Sequence, residues 1–222
     1  MSISVVAYDS DWPQRFELER AILERLLGPW LAGGIHHIGS TSVPGLAAKP
    51  IIDMMAGVVS LAEASPAIAV LTQQCSYEHA PHRPRAYWFY KPPSPHWYER
   101  THHLHLTGPG SDLWRERLAF RDALRGDPML RDEYQALKLR LAQASGDDVA
   151  AYTADKRDFV ARVLARAGIT LARGPVLAAP RPPAHDDGTA AALGRQRARP
   201  RLTGPCTCSP WSIRWTTPTG GR

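Results

Sequence analysis

The stretch from Ile35 to Val59, IHHIGSTSVPGLAAKPIIDMMAGVV, constrains this chain more than any other. Two apolar runs, Ile35–Ile38 and Ile51–Val59, bracket a linker of small, polar and turn-forming residues. The pattern predicts a strand, a loop with room for a short helix, and a longer buried strand. Gly39 and Ser40 stand at the exit of the first strand. There, backbone N–H groups and a hydroxyl become available, which is the equipment that holds phosphate oxygens. Asp53 stands inside the second run. A carboxylate among Ile, Met and Val is costly to bury without a proton, a cation or several donors as partner. Phosphate grip and metal carboxylate together point to nucleotide chemistry. The plainer alternative is an Asp that caps a helix or accepts backbone amides.

The flanking sequence supplies the rest of a fold. Ser4–Tyr8 reads as a short edge strand. Asp11 then precedes Trp12-Pro13 at a helix start, and Phe16, Leu23, Leu26 and Leu27 give that helix an apolar face. A second helix is expected over Leu61–Gln74, with Pro66 in its first turn or breaking it. Tyr77–His79, Ala86–Lys91 and Thr101–Thr107 read as strands. The last of these alternates, so His103 and His105 share one face and Leu104 and Leu106 the other. From Ser111 onward the pattern is helical. Ser111 or Asp112 caps one helix that ends at Gly126, and Asp127-Pro128 opens the next. Gly146-Asp147-Asp148 separates off a third, which Gly168 closes. Strands first and helices last predict an α+β fold, a mixed sheet with a helical flank.

Composition matters at one boundary. Residues 1–168 hold 19 basic and 19 acidic side chains, whereas residues 169–222 hold eight Arg and two Asp. The basicity therefore lies in the tail, and the 1–168 domain carries no general nucleic-acid signal. Of those last 54 residues, 14 are Gly or Pro and seven are Leu, Ile, Val or Phe, so 169–222 is predicted to be a disordered tail. No stretch approaches the roughly 20 apolar residues of a membrane span. The N-terminus lacks the charged and hydrophobic regions of a signal peptide. Cys75, Cys206 and Cys208 make neither a disulfide framework nor a zinc quartet. The expected compartment is the cytoplasm.

Further candidates for chemistry follow from spacing. His103 and His105 are placed to hold a cation or phosphate with Asp53 if their strands are neighbours; otherwise they are polar residues on a solvent face. Tyr152, Lys156, Phe159 and Val163 fall on one helical stripe. A lysine within an apolar stripe either snorkels to solvent or reaches a phosphate. Arg121 occupies a similar place after Trp114 and Leu118, and Lys138 lies one turn after Tyr134.

The segments YDSDWPQRFELE, HIGSTSVPGLAAKPIIDMM, RTHHLHL, LAFRDALRGDP, EYQALKLRLA and YTADKRDFV together resemble the GrpB-like family over roughly Val5 to Ala167. Its fold is similar to that of the nucleotidyltransferase superfamily. The resemblance implies a mixed sheet with helices packed against it. It also implies metal-dependent transfer of a nucleotidyl group from a nucleoside triphosphate, with Mg²⁺ or Mn²⁺ as cofactor. Gly39 and Ser40, with Thr41 beside them, match the turn that holds the triphosphate. Asp53 matches the first acid of the metal pair, and Lys156 and Arg121 would neutralise the leaving pyrophosphate. The second acid belongs at position 55, where this chain has Met55. A thioether is a poor ligand for a hard cation. His103 and His105 are the replacement ligands this reading offers. Two alternatives stand beside it. One is a non-catalytic nucleotide- or phosphate-binding accessory module, since related domains occur fused to dephospho-coenzyme A kinase. The other is a metal-dependent hydrolase, which requires Asp53, His103 and His105 to converge.

Overall fold

The computed structural model describes residues 4–80, 85–144 and 156–170, all within one unit, Met1–Arg181. The tail beyond 170, Gly146-Asp147-Asp148 and Tyr152 lie outside the described residues.

Trp12–Leu27 (α1) carries Trp12, Phe16, Leu23 and Leu27 on its buried face. Asp11 does not cap it by its side chain; instead Asp9 accepts the Asp11 N–H through Oδ1 at 2.9 Å. The expected edge strand at Ser4–Tyr8 is reduced to a bridge between Val6 and Ala48. Five strands follow: Leu31–Ile38 (β1), Ile52–Val58 (β2), Glu78–His79 (β3), Tyr87–Lys91 (β4) and His102–Thr107 (β5). They form one sheet in the order β1-β2-β5-β4-β3. The central β2–β5 pair is parallel and the other pairs are antiparallel.

The helix expected over Leu61–Gln74 is shorter. Pro66 sits at the N-cap and only Ala67–Gln74 (α2) is helical, because proline is tolerated at a helix start and not inside. Asp112–Gly126 (α3) is capped by Ser111, whose side chain accepts from the Trp114 N–H. Pro128–Ala144 (α4) begins behind Asp127, which accepts the Leu130 N–H at 3.1 Å. Arg157–Arg166 (α5) closes with Gly168 at φ 69°, and Gly168 and Ile169 donate to Ala165 and Leu164. This is the paired pattern that satisfies orphan carbonyls at a helix end.

Two cores result. Met54, Ala56 and Val58 of β2, Leu104 and Leu106 of β5, and Phe89 of β4 pack with α1 and α2. The second core joins Val43 and Leu46, from the β1–β2 connection, to Leu124, Leu130, Tyr134, Phe159 and Val163 of α3–α5. Strand alternation therefore turns Asp53, Met55, His103 and His105 to the opposite face of the sheet from the first core. On that face Gly33 and Gly57 let their backbones approach. A Cβ on Gly57 would stand 2.9 Å from both Gly33 Cα and the Trp114 ring.

The first core also encloses charge. Glu19 of α1 accepts from Lys91 Nζ at 2.6 Å and from the Tyr77 hydroxyl at 2.9 Å, and Lys91 Nζ lies 5.1 Å from the Tyr77 ring centre. Burial, with Glu19 alongside, pushes the Tyr77 phenol well above its ordinary value, so it stays a donor.

Candidate functional site

Gly39 leaves β1 with φ 71° and ψ −174°, a conformation close to glycine-only. Its missing side chain is also required by its neighbour. A Cβ there would fall 2.3 Å from Asp53 Oδ2. Asp53 is opposite Ile38 across the antiparallel pair and opposite His103 across the parallel pair. His103 Nδ1–H donates to Asp53 Oδ1 at 2.9 Å, and the Asp53 side chain keeps 32% of its surface exposed. Burial alone would raise this carboxyl. The hydrogen bond and charge of His103, with Arg117 and His37, outweigh it, and the carboxyl is held below its usual value.

The turn after Gly39 is fixed from two sides. Ser42 Oγ donates to Gly39 O at 2.6 Å. Arg125 grips Ser42 O through Nε and Nη2 at 3.0 and 2.7 Å, and Arg121 Nη1 donates to His37 O at 3.2 Å. Ser40 hydrogen-bonds the Tyr134 hydroxyl. Burial pushes that phenol up to about 12, against the lowering effect of Arg117 and Ser40. Thr41 is 1% exposed, donates to Ile51 O at 3.0 Å and is contacted by His37 Nε2 at 3.0 Å. Burial, opposed by Asp53 and helped by Arg125, Arg121 and His102, lowers His37 to about 4. The ring is therefore neutral, and its Nε2–H donates to Thr41.

Cations surround Asp53. Lys156 stands at the N-cap of α5. Burial first, then Lys49, Lys138 and Arg117, lower it to about 7, and Asp53 opposes them. Burial lowers Lys49 to about 8, again opposed by Asp53, and its Nζ lies 4.6 Å from the Trp97 ring centre. Lys138, 2% exposed, donates to Ala47 O and faces the Tyr134 ring, and burial lowers it to about 7. The unfolded chain takes this proton near pH 10.5, whereas the folded chain resists it until about 7. Stability is thus expected to fall as pH drops from about 10 to 7 and to level off below. A Lys138→Met variant, unfolded in urea at stepped pH, should show a shallower slope over that window; an unchanged slope would refute the assignment.

The structure thus brings Gly39, Ser40, Asp53, His103 and Lys156 to one place. Three residues of the sequence-derived set are used otherwise. Thr41 is spent inside the turn, and its buried hydroxyl has both a donor and an acceptor to serve. Arg121 holds the β1 carbonyl and its Nε donates to Asp122. His105 is opposite Met55, two pairs further along the strands, and is 7% exposed. Among the described residues no three His, Cys, Asp or Glu side chains are grouped to hold a metal ion, so Asp53, His103 and His105 do not converge as a ligand set. Met55 is fully buried. Sequence reasoning missed Arg117. It lies one helical turn before Arg121, and the spacing Arg117, Arg121, Arg125 puts three guanidinium groups on one face of α3. Following that spacing back from Arg121 would have found it.

An α+β domain with one carboxylate ringed by cations at the mouth of a Gly-Ser turn is the class of protein defined here. The chain belongs to the GrpB family: the profile described as "GrpB protein" matches residues 2–166. It is 31% identical over 164 residues to the Glutamate-rich protein GrpB of Alkalihalophilus pseudofirmus, covering 73% of this chain and 94% of that one. It is 36% identical to a UPF0157 protein of Deinococcus radiodurans, over 70% of this chain and 77% of the other. The crystal structure of conserved protein GrpB from Enterococcus faecalis superposes with a TM-score of 0.66 at 32% identity, covering 74% of this chain and 96% of that chain. Among the described residues no helix is long and apolar enough to cross a membrane.

Proposed function

We propose that this chain binds a phosphate ligand, the polyphosphate of a nucleoside triphosphate or a similar anion, in the pocket of Ser40, Asp53, Arg117, Lys49 and Lys156. The observation that carries this is the charge balance at Asp53: one carboxylate, its Oδ1 engaged by His103, faces three cations. Two of those cations are desolvated lysines, which gain most from an anion that restores their charged state. A ligand phosphate should therefore bind more tightly as pH falls from 9 toward 7.

Nucleotidyl transfer is the second reading, favoured by the ionised and partly open Asp53. The described donor set does not fit two bridged metal ions, because Met55 is buried where the second carboxylate would stand. It fits one Mg²⁺ or Mn²⁺ shared between Asp53 and the phosphates, since Mg²⁺ is commonly held by one carboxylate plus substrate. Such an ion would supply charge neutralisation at the phosphates. Asp53 would be the ligand, His103 its positioning residue, and Lys156 a fixed cation.

Thermal unfolding with tripolyphosphate and with each nucleoside triphosphate, with and without Mg²⁺ or Mn²⁺, tests the binding reading. A raised melting point is expected, and Lys156→Gln should weaken binding by about ten- to a hundredfold, the scale of a charged hydrogen bond. No shift with any of these anions would refute it. Pyrophosphate release that disappears in Asp53→Asn would establish transfer; binding without release would leave the accessory-module reading.

A further inference from the structure

Two sets of aromatic side chains that neither core uses flank the cations around Asp53. Trp88, Trp97 and Tyr98 are absent from both buried clusters, and Tyr98 is 42% exposed. Trp97 and Tyr98 sit in the 3₁₀ turn Trp97–Glu99, between β4 and β5. Their rings meet edge to face at 6.0 Å, and Tyr98 in turn stacks on His96 at 5.2 Å and 16°. Large rings are usually set on a surface in groups to meet something flat and apolar, because isolated exposure gains nothing from them.

This turn is held firmly. Ser94, 6% exposed, donates to Glu99 Oε2 at 2.5 Å and accepts the His96 N–H at 3.1 Å. The Thr101 N–H closes the connection onto Lys91 O at 2.8 Å. The rings are therefore displayed on a fixed base.

Lys49 links this surface to the pocket. Its ammonium lies over the Trp97 ring at 4.6 Å, and the same charge acts on Lys156 and is acted on by Asp53. A ligand whose anionic end reaches Lys49 and Lys156 thus has its other end delivered to Trp97. On the sheet side, Trp88 lies 5.3 Å from the His103 ring, and Arg100 covers Trp88 and Tyr90 at 5.5 and 3.7 Å. The anion site is thus flanked by the π surfaces of Trp97 and Trp88.

We infer that the phosphate pocket takes a nucleoside phosphate whose base stacks on the face of Trp97 opposite Lys49, while Lys49 holds the phosphate. This rests on the phosphate-binding reading above and adds to it the class of the ligand. Stacking tolerates any base, since every base has a π face, so all four nucleoside triphosphates are expected to bind with similar affinity.

Calorimetric titration of the full chain with tripolyphosphate and with the four nucleoside triphosphates tests this. The nucleotides should bind roughly ten- to a hundredfold more tightly than tripolyphosphate, the scale of one stacked base. Trp97→Ala should remove that advantage while weakening tripolyphosphate by no more than about fivefold, the scale of the lost cation–π contact with Lys49, and Trp97→Phe should keep most of the advantage, as stacking by the remaining ring requires. Trp97 belongs to neither core, so both variants should unfold at the temperature of the parent chain. Tripolyphosphate and nucleotides binding equally, or a Trp97→Ala variant that keeps the advantage, would overturn the stacking site while leaving the phosphate pocket standing. Failure of every anion to bind would remove the pocket and this site with it.

Discussion

Glu19→Ala is expected to lower the unfolding free energy by about 2–4 kcal/mol, the cost of stranding a buried phenol and a half-buried ammonium. Truncation leaves the Lys91 ammonium and the Tyr77 hydroxyl, 2.6 and 2.9 Å from the carboxylate oxygens, without their acceptor. Tyr77 is 2% exposed and Glu19 5%, so water cannot reach the Tyr77 hydroxyl without opening the α1–sheet contact, whereas the Lys91 side chain, 20% exposed, keeps partial access to solvent. Urea unfolding at neutral pH measures the loss. The combined variant Glu19→Leu, Lys91→Met, Tyr77→Phe removes all three polar ends and should recover stability to within about 2 kcal/mol of the parent. A loss under about 1 kcal/mol for Glu19→Ala alone would show that this triad carries no buried charge. The pair ties α1 to the end of β4, so its rupture should loosen the first core before the second.

Gly39→Ala should be the most damaging change at the site itself. Two independent penalties coincide there. The backbone region with φ 71° and ψ −174° costs a side-chain-bearing residue about 1–3 kcal/mol. The new Cβ would also stand 2.3 Å from Asp53 Oδ2, 2.8 Å from its Cβ and 2.9 Å from its Cγ. The carboxylate must then swing off His103 or the turn must move off Arg125. Either way the phosphate affinity proposed for the pocket should fall at least tenfold, with a stability loss of about 2–4 kcal/mol. Gly45→Ala is the matched control. It also replaces a positive-φ glycine, at 77°, but its Cβ meets nothing closer than the Arg131 guanidinium at 3.5 Å. If Gly39→Ala is no worse than Gly45→Ala, the contact with Asp53 contributes nothing.

The parts of this fold legible in the sequence are those set by local rules. Residue type alone narrows the α3 cap to Ser111 or Asp112, of which Ser111 serves, and places the cap at Asp127 and the helix end at Gly168. Thr101–Thr107 read as a strand with its two histidines on one face because strand periodicity is strict, and β5 at His102–Thr107 keeps that alternation. Asp53 stood out because a carboxylate in an apolar run needs a partner, and His103 supplies one. What was not legible depends on distance in the chain. Nothing local distinguishes Arg121, which serves a backbone carbonyl, from Arg117, one turn away, which acts on Asp53. Thr41 looked like part of a phosphate turn, and only the positions of Ile51 O and His37 show it to be internal wiring. His105 stands two register steps from Asp53, a quantity fixed by the β2–β5 pairing.

The parallel pairing of β2 with β5 has a further consequence for how the chain reaches its final state. Asp53 and His103 are 50 residues apart, and Lys156 arrives later still, from the last described helix. Closing so long a segment costs chain entropy before any contact repays it, and parallel partners cannot be brought together by a hairpin. The pocket is therefore a late product of assembly: a partly built chain holds the aspartate without its histidine, and then both without the lysine. An anion that recognises all three selects only the finished molecule. By mass action an anion bound as proposed would draw the folding equilibrium toward completion, and would double as a gauge of whether the chain has been built through Lys156.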